Sequence, residues 1–119
     1  MMFICYPRCK TCQKARKWLD ERGAKYECRD IKENNPTYDE LKLWLTASGL
    51  QIKKFFNTSG LLYKSMNLKD KLFGMSDDEC LKLLATDGLL VKRPLLISSG
   101  LVLVGFNEDE CAQALHVKE

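Results

Sequence analysis

Cys9 and Cys12 stand with two residues between them in Tyr6-Pro7-Arg8-Cys9-Lys10-Thr11-Cys12. An apolar run, Met2-Phe3-Ile4-Cys5, precedes this segment, and an amphipathic stretch opening Gln13-Lys14-Ala15-Arg16 follows it. The order reads as a strand, a tight turn carrying CxxC, and a helix. Cys9 then falls just ahead of a first helical turn, where N–H groups without intrahelical partners and the helix dipole favour an anion. A thiolate is such an anion, so the arrangement predicts a depressed pKa at Cys9, helped by positive charge on Arg8, Lys10 and Lys14. Cys12, one turn on, is within reach of a mixed disulfide formed on Cys9. The competing readings are half of a zinc site or two inert thiols. No second CxxC stands in the chain to complete a four-cysteine metal site. The spacing favours thiol–disulfide exchange without a metal, Cys9 acting as nucleophile and Cys12 as resolving thiol.

The elements that must position this pair follow from periodicity. Residues 3–6 carry no charge and read as a central, buried strand. Residues 11–22 place Ala15, Trp18 and Leu19 at helical spacing, with the charged side chains mostly elsewhere, and Gly23 ends the run. Residues 25–31 alternate and predict a second strand with Tyr26 and Cys28 inward. The short crossover makes this a βαβ unit with a parallel pair. From residue 36 to 86 the pattern is helical. Thr37-Tyr38-Asp39-Glu40 and Ser76-Asp77-Asp78-Glu79 both read as capping boxes, the first opening a helix that Ser48-Gly49 ends. Between them, residues 52–56 predict a short helix, 57–60 a turn, and 63–72 a further helical stretch. Strands return at residues 94–98 and 101–104 across Ser99-Gly100, a hairpin. Asn107 caps a last helix over residues 108–117 with Cys111, Ala114 and Leu115 inward.

The 119 residues are predicted to form a single α/β domain, βαβ, helical insert, ββα. Its four-stranded mixed sheet would be thioredoxin-like, or glutaredoxin-like, with the core drawn from residues 1–33 and 88–119 and the insertion over 36–86. Hydrophobic content of 45% and charged content of 29% suit a folded protein. A net charge of +3, from 19 basic and 16 acidic residues spread along the chain, makes no case for direct nucleic-acid binding. No apolar run approaches the roughly 20 residues that span a membrane. The chain runs from Met1 into a strand without a leader pattern, so its six cysteines are expected to be reduced thiols in the cytoplasm. Cys5, Cys28, Cys80 and Cys111 read as small core residues, Trp18 and Trp44 as core aromatics, and His116 as solvated.

Four segments carry a family resemblance: Tyr6-Pro7-Arg8-Cys9, Asn35-Pro36-Thr37-Tyr38-Asp39-Glu40-Leu41, Phe56-Asn57-Thr58-Ser59-Gly60 and Lys92-Arg93-Pro94-Leu95. Together they resemble the arsenate reductase (ArsC) and Spx family over essentially the whole chain. The resemblance implies that Cys9 is the nucleophile, that Arg93 belongs to the active site, and that Pro94 is a cis proline presenting backbone beside the reactive sulfur. Arg8, Lys10 and Pro94 would then neighbour the substrate. It also implies no bound cofactor, with glutathione or thioredoxin as the reductant.

The departures from that family are equally informative. The glutathione-dependent reductases bring two more arginines to their oxyanion site, one expected near Phe55-Phe56-Asn57 and one near Val104-Gly105-Phe106. Neither segment here holds an arginine. Cys12, absent from those reductases, is shared with Spx-like proteins, in which the pair is a redox switch. The expected activity is therefore a thiol-dependent reductase acting on a small-molecule or protein disulfide. The alternatives are a Spx-like redox-sensing regulator that contacts RNA polymerase, and a true arsenate reductase.

Overall fold

The computed structural model describes residues 1–115, and of Leu115 only its place in a helix. His116 and Val117 lie outside the described residues. The chain divides into two units: Met1–Asp30 together with the chain from Arg93 onward, and Ile31–Lys92.

The first unit holds the sheet. Strand β1 (Met2–Cys5) leads through the turn to helix α1 (Lys10–Glu21), and the chain returns as β2 (Glu27–Asp30). β3 (Leu95–Ser98) and β4 (Leu101–Val104) form the hairpin, and α6 (Glu108–Leu115) follows the five helices numbered from α1. The strand order is β2-β1-β3-β4, with β1 and β2 parallel and the other two pairs antiparallel. This is the mixed four-stranded sheet that the sequence predicts. β1 is central and uncharged, and both of its faces are buried: Phe3 and Cys5 on one side, Ile4 on the other. Such a strand needs no polar alternation.

The core on the Phe3 face is built by α1 and α6. Ala15, Trp18 and Leu19 of α1 bury there with Phe3, Cys5, Cys12, Leu96 and Cys111. Each large side chain so buried is worth about 1.5–3 kcal/mol. Trp18 meets Phe106 edge-on at 6.1 Å, and the Arg22 guanidinium stacks 3.9 Å over the Trp18 ring. α1 begins at Lys10 rather than Thr11, because Cys9 itself is the residue at the helix start, with extended φ −86° and ψ 122°. Gly23, at φ +68°, ends the segment as its position predicts.

The sequence reading places Cys28 in the core, and the structure corrects it. β2 is the edge strand, shorter than predicted, and Cys28 is exposed although it pairs opposite the buried Phe3. Alternation gives the face a residue points to, not whether a helix covers that face at the sheet's edge. Tyr26, just before β2, is half-buried and packs edge-on against Phe3 at 5.4 Å.

The second unit is helical. Both predicted capping boxes form. Thr37 and Glu40 exchange bonds at the start of α2 (Tyr38–Ser48), and Ser76 and Glu79 do so at the start of α5 (Asp77–Leu84). Gly49, at φ +68°, closes α2. The stretch predicted as one helix over 63–72 is divided into α3 (Leu61–Ser65) and α4 (Leu68–Lys71), because Asn67 adopts a left-handed conformation at φ 53° between them. Short 3-10 turns run Ile52–Phe55, Leu72–Gly74 and Gly88–Leu90. Among the described residues no strand forms between β2 and β3; one isolated bridge joins Phe56 to Val91, flanked by Asn57 N–H to the Leu90 carbonyl (2.8 Å) and Lys92 N–H to the Phe55 carbonyl (2.7 Å). Gly88 packs so close to the Ile31 backbone that a Cβ there would lie 1.7 Å from its carbonyl oxygen.

Candidate active site

Tyr6-Pro7-Arg8-Cys9 is a turn closed by the Cys9 N–H donating to the Tyr6 carbonyl at 2.9 Å. The Cys9 carbonyl then accepts from Gln13 N–H at 3.0 Å, opening α1, while Gln13 Nε2 donates back to the Pro7 carbonyl at 3.0 Å. Pro7 fixes its own φ and offers no N–H, which suits the corner of such a turn. The outcome is a half-buried Cys9 at the helix start and a Cys12 only 2% exposed, one turn on.

The two thiols have opposite electrostatics. Burial alone would push Cys9 up. The N–H and thiol of Cys12, the N–H of Thr11 and the Arg93 side chain outweigh it and hold Cys9 below the ordinary thiol value. Cys12 is pushed up to about 12, first by burial and then, against a hydrogen bond from the Tyr6 N–H, by the negative charge on Cys9. That bond spans 3.4 Å from Tyr6 N to the Cys12 sulfur. The pair therefore divides labour: one half-buried thiol whose ionisation is favoured, and one thiol behind it that is held protonated.

Arg93 and Pro94 join the same place from the other end of the first unit. The Arg93–Pro94 peptide is cis, and Pro94 is buried. The Pro94 carbonyl accepts from Gly105 N–H at 2.8 Å, which fixes the approach to β3 against the exit of β4. Gly105 takes φ +79°, a conformation that favours glycine. The Arg93 guanidinium lies 5.1 Å from the centre of the Tyr6 ring, and the Arg93 side chain is one of the groups that hold the Cys9 pKa down.

Among the residues singled out in the sequence, Cys9, Cys12 and Arg93 thus come together. Arg8 and Lys10 flank Cys9 and are exposed. The groups that chiefly lower its pKa are helix-start N–H groups, the Cys12 thiol and Arg93. Tyr6 escaped the sequence reading. It seats Arg93 with its ring and holds Cys12 with its N–H, and its sequence signals are an aromatic residue at the strand's end and its place in the Tyr6-Pro7-Arg8-Cys9 segment. Phe55 and Phe56 are fully buried apolar side chains, and residues 104–106 hold no cation, the Gly105 N–H being given to the Pro94 carbonyl. Among the described residues no group of three or more His, Cys, Asp or Glu is placed to hold a metal ion. No described helix is long and apolar enough to cross a membrane.

The model of the ArsC family matches residues 5–114. Uncharacterized protein YusI of Bacillus subtilis (strain 168) is 52% identical over 110 residues, 92% of this chain and 93% of that one. The global transcriptional regulator Spx 2 of Bacillus anthracis is 28% identical over 107 residues, 90% of this chain and 80% of that one. Among solved structures, an ArsC family related protein from Bacteroides fragilis superposes with a TM-score of 0.92 at 52% identity, covering 94% of each chain. A possible arsenate reductase from Streptococcus mutans UA159 superposes at 0.85 with 44% identity, covering 92% of this chain and 95% of that one.

Proposed function

The chain belongs to the ArsC family, and from that premise we propose that it is a thiol-dependent oxidoreductase with Cys9 as nucleophile and Cys12 as resolving thiol. The observation that carries this reading is the split between the two sulfurs, Cys9 held low and Cys12 held at about 12. The Cys9 thiolate attacks one sulfur of a substrate disulfide, forming a mixed disulfide and releasing the other sulfur as a thiolate. The negative charge on Cys9 is now gone, and with it one of the causes that keep Cys12 protonated. Cys12 loses its proton, attacks the Cys9 sulfur and releases the second substrate thiolate. Two electrons have passed to the substrate, and the Cys9–Cys12 disulfide is left for an external thiol to reduce. Glutathione or thioredoxin suits that role, and the cytoplasm is the compartment in which the pair would be returned to thiols. Arg93 and the helix-start N–H groups stabilise sulfur as a thiolate whenever Cys9 attacks or leaves.

The substrate of this reading is a small-molecule or protein disulfide. The test is reduction of bis(2-hydroxyethyl) disulfide by the purified chain with glutathione or thioredoxin as donor. It is paired with capture of mixed-disulfide partners on Cys12→Ser. Turnover that disappears in Cys9→Ser is expected; turnover that survives in Cys9→Ser overturns the assignment.

The kinship with Spx 2 supports a second reading, in which the same dithiol senses oxidation and governs contact with RNA polymerase. Binding of the reduced and oxidised chain to purified polymerase tests it: affinity that changes with the state of Cys9–Cys12 favours the regulator, and no binding in either state removes it.

A further inference from the structure

A cavity of about 560 Å³ opens beside the helix start that carries Cys9, lined by Thr11, Lys14, Phe106, Asn107, Glu108 and Asp109. Thr11, which lines it, stands two residues after Cys9 in the first turn of α1. Its far wall is the first turn of α6, which is fixed in place. The Asn107 side chain accepts from Glu110 N–H at 3.0 Å, and the Asn107 carbonyl accepts from Cys111 N–H at 3.0 Å. Phe106, half-buried against Trp18, supplies an apolar surface.

The charges that line this cavity are not those of an anion site. One cation, Lys14, and two carboxylates, Glu108 and Asp109, line it, and Glu110 follows on the same turn of α6. Acidic side chains at a helix start already answer the positive end of its dipole, so a further anion placed there meets like charge. Arg8 and Lys10 do not line the cavity. The volume falls in the range of sites that take a small ligand or a single long side chain with its flanking backbone.

We infer that this cavity reads the substrate: it selects disulfide-bearing polypeptides with a lysine or arginine one or two residues from the cysteine that Cys9 attacks. The inference rests on the thiol-exchange reading above and narrows its substrate class. The reach is suitable, since Thr11 lies within one helical turn, about 5.4 Å, of Cys9, and each extended peptide residue advances about 3.5 Å. The aliphatic stem lies against Phe106 while the cationic head meets Glu108 and Asp109, a division natural to long basic side chains. Glutathione, which carries a net negative charge, gains nothing from these carboxylates. The cavity therefore favours protein disulfides over glutathione disulfide.

The test uses the intact chain and three disulfides: the homodimers of Ac-Cys-Gly-Lys-NH2 and Ac-Cys-Gly-Glu-NH2, and neutral bis(2-hydroxyethyl) disulfide. Second-order rate constants for thiol release are measured at neutral pH and low salt, where exposed charges are least screened. The lysine disulfide is expected to react about five- to tenfold faster than the glutamate one, the scale of one or two exposed ion pairs. The double variant Glu108→Gln, Asp109→Asn should bring that ratio close to unity, and Lys14→Gln should widen it, with circular dichroism confirming that each variant is folded. A ratio near unity in the unaltered chain, or one that the double variant leaves unchanged, overturns the inference while reaction with the neutral disulfide preserves the thiol-exchange reading. Failure of all three disulfides to react overturns that reading, and this one with it.

Discussion

Arg93 and Tyr6 lie on different segments of the first unit, yet the guanidinium of one sits 5.1 Å from the ring centre of the other. The contact seats a cation that is one of the groups holding down the pKa of Cys9, three residues after Tyr6. It is also an economical anchor, because a guanidinium over an aromatic face keeps its hydrogen-bonding edge available to an anion. The same Tyr6 holds Cys12 through its N–H. One residue thus organises both the charge that lowers Cys9 and the buried thiol behind it.

Arg93→Ala is expected to leave the fold intact and raise the Cys9 pKa, because the Arg93 side chain is one of the groups that hold it down. The rise is modest because the N–H groups of Cys12 and Thr11 remain. The sign is fixed by the thiolate. Cys9 reactivity rises as pH passes upward through its lowered pKa and then levels off, so the variant's profile moves to higher pH. Iodoacetamide labelling of Cys9 against pH measures it, and a profile that does not move places Arg93 outside the site.

Cys12 should resist alkylation under conditions that label Cys9 fully, being 2% exposed and pushed up to about 12. In Cys9→Ser the charge that helps to raise Cys12 is removed. Its pKa should fall while staying above the ordinary thiol value, since burial is the larger cause. Mass spectrometry of peptides labelled at several pH values separates the two cysteines. Labelling of Cys12 that equals or outpaces Cys9 contradicts this division of labour.

Mild oxidation with diamide should join Cys9 to Cys12 and leave the other four cysteines as thiols. Spacing at a helix start permits the S–S geometry. Cys5, Cys80 and Cys111 are buried, with their pKa values raised chiefly by burial. Cys28 is the real competitor, because it is exposed on the edge strand. Cys28→Ser should therefore keep full exchange activity, and peptide mapping that found a dominant bridge to Cys28 would count against the Cys9–Cys12 assignment.

Some of this was legible in the sequence and some was not, for separable reasons. The capping boxes at Thr37 and Ser76 were readable because both halves of each lie within four residues. The thiol pair was readable because strand, CxxC and helix are consecutive. Arg93 entered through resemblance alone, since more than eighty residues separate it from Cys9 and no local pattern joins them. Cys28 was misread because edge position is decided by strand order, which alternation does not contain. The break at Asn67 was missed because a left-handed asparagine leaves helical spacing on either side nearly undisturbed.

Gly88→Ala is expected to destabilise the chain by about 2–3 kcal/mol. An added Cβ would stand 1.7 Å from the Ile31 carbonyl oxygen, and this neighbour is backbone rather than a side chain that can rotate away. Urea unfolding followed by far-UV circular dichroism provides the measurement. A change below about 0.5 kcal/mol, the ordinary size of a neutral surface substitution, would mean that the Ile31 backbone yields freely.

Arsenate should be reduced poorly with glutathione and glutaredoxin as donors. The family resemblance implies three arginines around the oxyanion, and only Arg93 matches. The segments expected to supply the others hold buried Phe55 and Phe56 in one case and, in the other, Gly105, whose N–H is already given to the Pro94 carbonyl. Each lost charge-assisted contact costs on the order of 1.5–3 kcal/mol, and every 1.4 kcal/mol is about tenfold. Two missing arginines therefore remove several powers of ten in binding of the transition state, whereas thiol–disulfide exchange loses nothing, because its reacting atoms are sulfur and need only a thiolate and access. Arsenite production would be compared with that of a glutathione-dependent arsenate reductase under identical conditions, alongside reduction of bis(2-hydroxyethyl) disulfide. Disulfide reduction with arsenate turnover far below the control is the expected result. Arsenate turnover within about tenfold of the control would show that Arg93 and the helix-start N–H groups suffice to hold the oxyanion.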